Sequence, residues 1–356
     1  MIAINARFLT QDLTGVQRFA IEISLRLKKA LGNKIIFLSP NNIIQEEYAK
    51  QLEVQIIGKH TGHLWEQIDL PLHLRKIGKP ILINLANMAP IFYRNKISTI
   101  HDVAFLAFPE TFSKSFLYAY KFLIPRILKT SKHIITVSNF SKEEIIKAYH
   151  IEKEQISVIY NAVSNNFKYK KNDSLRQERY FLAVSSLNYR KNFIAVLQAF
   201  VHYAKSNSNE NLYIIGDIKN SNFKNLNIDI YKKHPHIKFL GRVSDKELID
   251  YYSNAIGFIY PSLYEGFGIP PLEAQTCNCP VLLSDIPPLK EVFNDSGIYC
   301  NPYDINDIAC KMNELKNYSD ELKVKGHNNA QKFSWEKSAN LFLDIILKLE
   351  TVHNYS

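Results

Sequence analysis

Short apolar runs rich in β-branched residues alternate along this chain with longer stretches of helical period. In the first half the strand-like runs are the N-terminal segment 1–7 and residues 35–38, 81–83, 98–100, 134–137 and 156–159. Helical patterns fall between them, for example at 16–30 and 142–149, where Ser141 is the expected N-cap and Glu144 completes a capping box. A polar stretch rich in Lys and Asn follows and is expected to be an interdomain linker at 166–179. A second series then begins. Strands are expected at 180–184, 212–215, 237–240, 255–260 and 281–283, with helices at 193–205 and 335–349. Alternation of β and α means parallel sheets covered on both faces. The expected organisation is an N-terminal Rossmann-like domain at 1–165, a C-terminal one at 180–334, and a final helix in 335–356 packing back toward the first domain.

Composition bounds the function. The 356 residues suffice for two domains, and 46% hydrophobic with 22% charged content is that of a globular protein. No uncharged apolar run reaches 18 residues, so no transmembrane helix is expected. The N-terminus lacks the basic start and long apolar core of a signal peptide. Cys277, Cys279, Cys300 and Cys310 form no C-x-x-C pair and no Cys/His cluster of zinc spacing, so free, buried thiols in a reduced cytoplasmic protein are expected. Charge is uneven: 21 Lys+Arg against 13 Asp+Glu in residues 1–165 give +8, which leaves +2 of the total +10 for the rest. A basic half suggests an anionic partner, although a Lys- and Asn-rich composition gives the same sum. Residues 114–132 mix Lys114, Lys121, Arg126, Lys129 and Lys132 with Phe116, Tyr118, Tyr120 and Phe122. Such a segment suits a membrane surface, or a helix packed on its own domain.

Candidate chemistry lies at strand ends, where open parallel sheets bind ligands. Residues 190–192, Arg-Lys-Asn, open a helix and suit a phosphate. Gly216-Asp217 and the Gly241–Ser244 loop, which holds Val243, follow two more strands. In the first half Gly15 precedes a helix, and His101-Asp102 follows the strand ending at Ile100. Residues 264–274, YEGFGIPPLEA, set two acids, Glu265 and Glu273, eight positions apart around Gly266-Phe267-Gly268. Either Glu265 caps the next helix and Glu273 is a surface residue, or both face a ligand.

Taken together, Gly15–Phe19, Ile100-His101-Asp102, Thr136–Ser141, Tyr160–Val163, Arg190-Lys191-Asn192, Leu240–Ser244, residues 261–273 and Phe333-Ser334-Trp335 resemble a family 4 glycosyltransferase of GT-B architecture, over nearly the whole chain. The subgroup that the chain most resembles transfers mannose or rhamnose in bacterial O-antigen or capsule assembly. The resemblance implies two Rossmann-like domains with parallel sheets facing a central cleft, and transfer with retention of configuration. It implies that Glu265 contacts the donor sugar, Glu273 holds the nucleotide ribose, Arg190 and Lys191 neutralise the leaving diphosphate with help from the Gly15 helix start, and His101 orients the sugar. Asp102, Val243 and the backbone of Gly266, Phe267 and Gly268 are expected to complete the substrate site.

No cofactor and no metal are expected, and no Asp-x-Asp pair occurs. The implied partners are a nucleotide-sugar donor, GDP-mannose first, and a saccharide acceptor carried on undecaprenyl diphosphate, reached at the inner leaflet of the plasma membrane. No nucleic-acid partner is expected. Three departures stand out: Ser185-Ser186 replaces a Gly-Arg pair, Asn278 a glycine, and the Gly15 loop has one glycine where many relatives have two. The competing readings are a sugar-nucleotide epimerase or phosphorylase on the same architecture, a basic nucleic-acid-binding protein, and a dehydrogenase. The last lacks a G-x-G-x-x-G after the first strand.

Overall fold

The computed structural model describes residues 1–184, 189–216 and 228–353, with the side chains of 351–353 excepted. Ser185, Ser186 and Asp217 lie outside the described residues. The chain divides into two compact units, one of Met1–Asn161 with Ser334–Ser356 and one of Ala162–Phe333.

In the first unit seven strands form one sheet: β1 (Ile2–Asn5), β2 (Ile35–Ser39), β3 (Gln55–Ile56), β4 (Ile81–Asn84), β5 (Lys96–Thr99), β6 (His133–Thr136) and β7 (Ile156–Val158), in the order 3-2-1-4-5-6-7. Every pairing is parallel. The order reverses between β1 and β4, where Asn5 and Asn84 are partners in register. All four residues of β1 and of β4 are buried, as they must be in a sheet covered on both faces. The Gly15–Leu31 helix buries Phe19, Ile23 and Leu27, spaced at i, i+4 and i+8, and ends at Gly32, whose φ of 53° a side chain would disfavour. The Trp335–His353 helix closes on it. Trp335 meets the Phe19 ring edge-on at 5.9 Å, and Glu336 pairs with Arg26 at 2.8 Å. Burial of an aromatic side chain as complete as that of Trp335 stabilises by roughly 2–3 kcal/mol. The helix over Asn139–Tyr149 begins three residues earlier than its pattern suggests. Its cap is Ser138, whose Oγ accepts the Ser141 N–H at 3.0 Å, while Ser141 itself is buried inside the first turn.

The second unit repeats the plan with six parallel strands: β8 (Tyr180–Val184), β9 (Asn211–Ile215), β10 (Ile237–Gly241), β11 (Gly257–Tyr260), β12 (Val281–Ser284) and β13 (Ile298–Cys300), ordered 10-9-8-11-12-13. The reversal here falls between β8 and β11. Phe181, Ala183, Leu212, Ile214, Ile259 and Leu282 form its core with the Phe193–Ala204 helix. The stretch 166–179 is held to this unit. Phe167 is buried, the Lys170 and Asn172 N–H groups donate to Ser253 Oγ and Asn254 Oδ1 at 3.0 and 2.9 Å, and Asp173–Gln177 is helical. Asn278 adopts φ 59°, the left-handed turn expected of it in place of a glycine. Cys277, Cys279 and Cys300 are buried free thiols, but Cys310 is exposed on its helix. No helix among the described residues is long and apolar enough to cross a membrane.

Candidate active site

In the second unit the chain leaves β8, turns through Tyr189–Lys191 and enters the Phe193–Ala204 helix at Asn192, whose φ is 52° and whose Nδ2 donates to the Pro302 carbonyl at 2.6 Å. Across the switch point, β11 ends at Tyr260 and runs into the loop 261–268. Two bonds pin that loop: Leu263 N–H donates to the Arg190 carbonyl at 2.7 Å, and Ser284 Oγ donates to the Ser262 carbonyl at 2.5 Å. The result is a triangle of side chains. Lys191 Nζ donates to Glu265 Oε1 at 2.6 Å and to Tyr260 Oη at 2.7 Å, and Tyr260 Oη donates to the same Glu265 oxygen at 2.7 Å. Glu265 is only 9% exposed. Burial pushes its carboxyl up, but the Lys191 ammonium and the hydrogen bonds from Lys191 and Tyr260 outweigh this and hold it below the usual carboxylate range. Burial and then the Glu265 charge push the Tyr260 phenol well above its ordinary value, so Tyr260 keeps its proton and stays a donor.

Neither acid is a helix cap. The Ile269–Thr276 helix is capped by Gly268, at φ 99° and with no side-chain bond, and Glu273 lies inside the helix, 8% exposed. Its charge bears on the buried Tyr252 phenol, which burial first and Glu273 second push up. A Cβ on Gly268 would lie 2.7 Å from Leu289 Cδ2, so the glycine is required both by φ and by space. Phe267 turns its ring into the fold, edge-on to Phe333 at 5.5 Å, which leaves its backbone as the part a ligand can use. Val243, half-buried, follows the left-handed Gly241 and precedes Ser244, the capping-box residue of the Asp245–Asn254 helix.

In the first unit Gly15 is the exposed first residue of its helix, after the cap residue Thr14. His101 is buried against Phe19, ring to ring at 5.0 Å, and its backbone N–H donates to Asn87 Oδ1 at 2.8 Å. Nε2 lies 3.0 Å from the Leu85 carbonyl. A carbonyl only accepts, so this nitrogen carries the proton and Nδ1 carries the lone pair. Burial lowers the pKa of the imidazole, outweighing the Leu85 bond and the Asp102 charge, and the ring is neutral. Asp102 is occupied locally: Oδ1 accepts the Ala104 N–H at 2.9 Å and starts the next turn.

Two features escaped the sequence reading. One is Tyr260, which the sequence marks only as the last residue of a strand. The other is a polar network at the β1/β4 switch point, where Asn5 Nδ2 donates to Glu66 Oε1 at 2.6 Å and to Asn84 Oδ1 at 3.1 Å, and Arg7 Nε lies 3.3 Å from Glu66 Oε1.

Two all-parallel sheets, each with ionisable and amide side chains gathered where its strand order reverses, define an enzyme built from two nucleotide-binding-type domains. Residues 13–167 match the family model described as Glycosyltransferase Family 4, and residues 164–333 match Glycosyl transferases group 1. The O-antigen chain mannosyltransferase RfbU of Salmonella typhimurium is 35% identical, over 90% of this chain and 92% of its own. The O-antigen chain mannosyltransferase B of Escherichia coli is 28% identical over 67% of each chain. Among solved structures, Anabaena HepE in complex with UDP and glucose superposes with a TM-score of 0.73 at 15% identity, over 98% of this chain and 99% of HepE. WaaG, a glycosyltransferase involved in lipopolysaccharide biosynthesis, gives 0.73 at 16% identity over 97% and 99%. These two likenesses speak for the fold alone. The chain belongs to the family 4 glycosyltransferases, and its two Rossmann-like domains are those of the GT-B fold.

Proposed function

We propose that the protein is a retaining, metal-independent hexosyltransferase that moves mannose from GDP-mannose to a saccharide carried on undecaprenyl diphosphate, in the assembly of a bacterial surface polysaccharide. The observation that carries this reading is the Lys191–Tyr260–Glu265 triangle at the second sheet's switch point, inside the segment that ends at Glu273. The choice of mannose is supported by what the RfbU relative is named for. In this reading Glu265 accepts hydrogen bonds from the donor sugar hydroxyls, and Glu273 takes the ribose diol, which a carboxylate can grip with both oxygens. Lys191 and Arg190 neutralise the diphosphate as the bond from the sugar carbon to oxygen breaks. The acceptor oxygen attacks from the same face, and the departing phosphate oxygen takes its proton. The sequence has no Asp-x-Asp pair, so the two cations and the N–H groups at the start of the Gly15–Leu31 helix supply the positive charge. His101, neutral, orients the sugar through Nδ1 rather than acting as sole base.

The Lys114–Thr130 helix supports attachment to the cytoplasmic face of a membrane. Lys114, Tyr118, Lys121, Phe122, Arg126 and Lys129 are all exposed and fall along one stripe, with Tyr118 76% exposed. Failure to bind anionic vesicles at low salt would remove that part of the reading.

Thermal stabilisation by GDP-mannose, UDP-sugars, dTDP-rhamnose and GDP, with and without EDTA, tests the whole. A shift with one sugar nucleotide, indifferent to EDTA and abolished by Glu273→Ala, is expected. A shift that requires a divalent ion would overturn metal independence, and a shift with dTDP-rhamnose alone would overturn the choice of mannose.

A further inference from the structure

The network at the β1/β4 switch point is built like a ligand site, and nothing in the donor chemistry above uses it. Asn5 ends β1 and Asn84 ends β4, so their side chains stand where an open parallel sheet receives a ligand. Between them Glu66 reaches in from a π-helical turn, Trp65–Asp69. The wide turn lets adjacent Trp65 and Glu66 both point inward, while Gln67 pins the neighbouring loop through Ala89 O at 3.0 Å and Ile91 N at 2.9 Å.

Arg7 is the unusual member. It is 7% exposed and Glu66 is 1% exposed. Its Nε meets Glu66 at 3.3 Å as an ion pair but makes no hydrogen bond, a buried donor left without a partner. A buried guanidinium N–H is normally saturated, so one left open points to an oxygen that arrives with a ligand. Tyr120 stands in the same field. The charges of Arg7, Glu66 and Asp102 all act on its phenol, its hydroxyl bonds to Asn87, and burial, the largest effect, pushes it up to about 12, so it is a protonated donor.

The charge sum decides the chemical class. Burial pushes the Glu66 carboxyl up, but Arg7 first, then His63 and Asn5, hold it down, so it is ionised and cancels the guanidinium. Asp102 is a second acid within range and His101 is neutral. A phosphate would enter a place with no spare positive charge, whereas a hydroxyl can accept from Arg7 and donate to a carboxylate or to Tyr120. We infer that Arg7, Glu66 and Tyr120 form a subsite that grips the hydroxyls of an uncharged sugar ring of the acceptor. This rests on the reading of the protein as a transferase with a saccharide acceptor, and it names the specificity-determining residues on that side.

The test uses the full chain, wild type and two variants: Arg7→Lys, which keeps the charge opposite Glu66, and Tyr120→Phe, which removes one oxygen. The probes are the methyl glycosides of mannose, galactose, glucose, rhamnose and N-acetylglucosamine, followed by saturation-transfer NMR, with GDP-mannose stabilisation measured in parallel. At least one glycoside is expected to bind the wild type. Its affinity should fall about tenfold in Arg7→Lys and severalfold in Tyr120→Phe, with donor stabilisation unchanged. Binding of no glycoside by the wild type, equal binding by all three proteins, or competition by inorganic phosphate that depends on Arg7 would each overturn the inference. If the glycoside binds through Arg7 but no sugar nucleotide stabilises the protein, the subsite stands and the transferase reading falls. If donor binding is intact and the glycosides fail, the reverse holds.

Discussion

The contact between Lys191 and Glu265 ties fold to chemistry, and it can be measured without substrate. Replacing Lys191 by Met leaves a carboxylate at 9% exposure without its cation, still accepting from Tyr260. Breaking a fully buried pair costs about 3–5 kcal/mol, but the Lys191 side chain is 23% exposed, so water screens part of it and we expect about 2–3 kcal/mol. Glu265→Gln frees an ammonium that can turn to water and should cost about 1 kcal/mol. The double variant should fall short of the sum by a coupling of about 1–2 kcal/mol. Both tryptophans, Trp65 and Trp335, belong to the first unit, so far-UV circular dichroism in urea is the readout for this pair. The pH dependence supplies a sign. Glu265 is held below its unfolded value, so its contribution is present above the unfolded carboxyl pKa, about 4.3, and is lost as pH falls through the lower folded value. Without Lys191 the carboxyl rises and is protonated sooner, so the deficit of Lys191→Met should shrink as pH is taken from neutral toward about 4. A coupling below about 0.5 kcal/mol, or a deficit that does not change with pH, would refute the argument.

Gly268→Ala should lower stability by roughly 2–4 kcal/mol, because φ is 99° and the new Cβ meets Leu289 at 2.7 Å and Phe293 at 3.3 Å. Gly241→Ala, at φ 72° with nothing within 4 Å, should cost only about 1 kcal/mol, and urea melts of the two separate strain from clash. Lys96 is fully buried, donating to Tyr93 O at 2.8 Å and Thr130 Oγ1 at 2.6 Å, and burial lowers its pKa to about 7. The unfolded lysine stays charged up to about 10.4, so this penalty on the fold is fully present below pH 7 and fades as pH rises toward that value. Lys96→Met should therefore raise the melting temperature most at about pH 6 and progressively less toward pH 10.

Much of this architecture is visible in the chain because parallel strands buried on both faces leave uninterrupted apolar runs. Residues 81–83 and 281–283 were legible for that reason, and so was the strand-end placement of Lys191 and Glu265. What stayed hidden has specific causes. β3 is two exposed residues, Gln55 and Ile56, added to an edge, and two residues carry no period. Ser138 outcompeted Ser141 as a cap because the helix begins inside the Thr136–Ser141 motif, where both serines fit the same local rule. Arg7 and Glu66 lie 59 positions apart, and only the folding of the Trp65–Asp69 turn onto the end of β1 makes them neighbours. The one hint was an acid set in the apolar surroundings of Trp65. Tyr260 reads as a strand residue because it is one, and its second role depends on a loop that folds Glu265 back onto it.

The Trp335–His353 helix belongs to the unit that the chain left at Asn161. The second unit is thus an uninterrupted insertion, and on a ribosome it emerges whole while the first still lacks a wall. Phe19 waits, uncovered by Trp335, until the whole second unit has been made. Synthesis order and completion order are therefore opposed: the domain begun first is finished last. A chain that stops short of Trp335 would then deliver a sound second unit attached to an open first one.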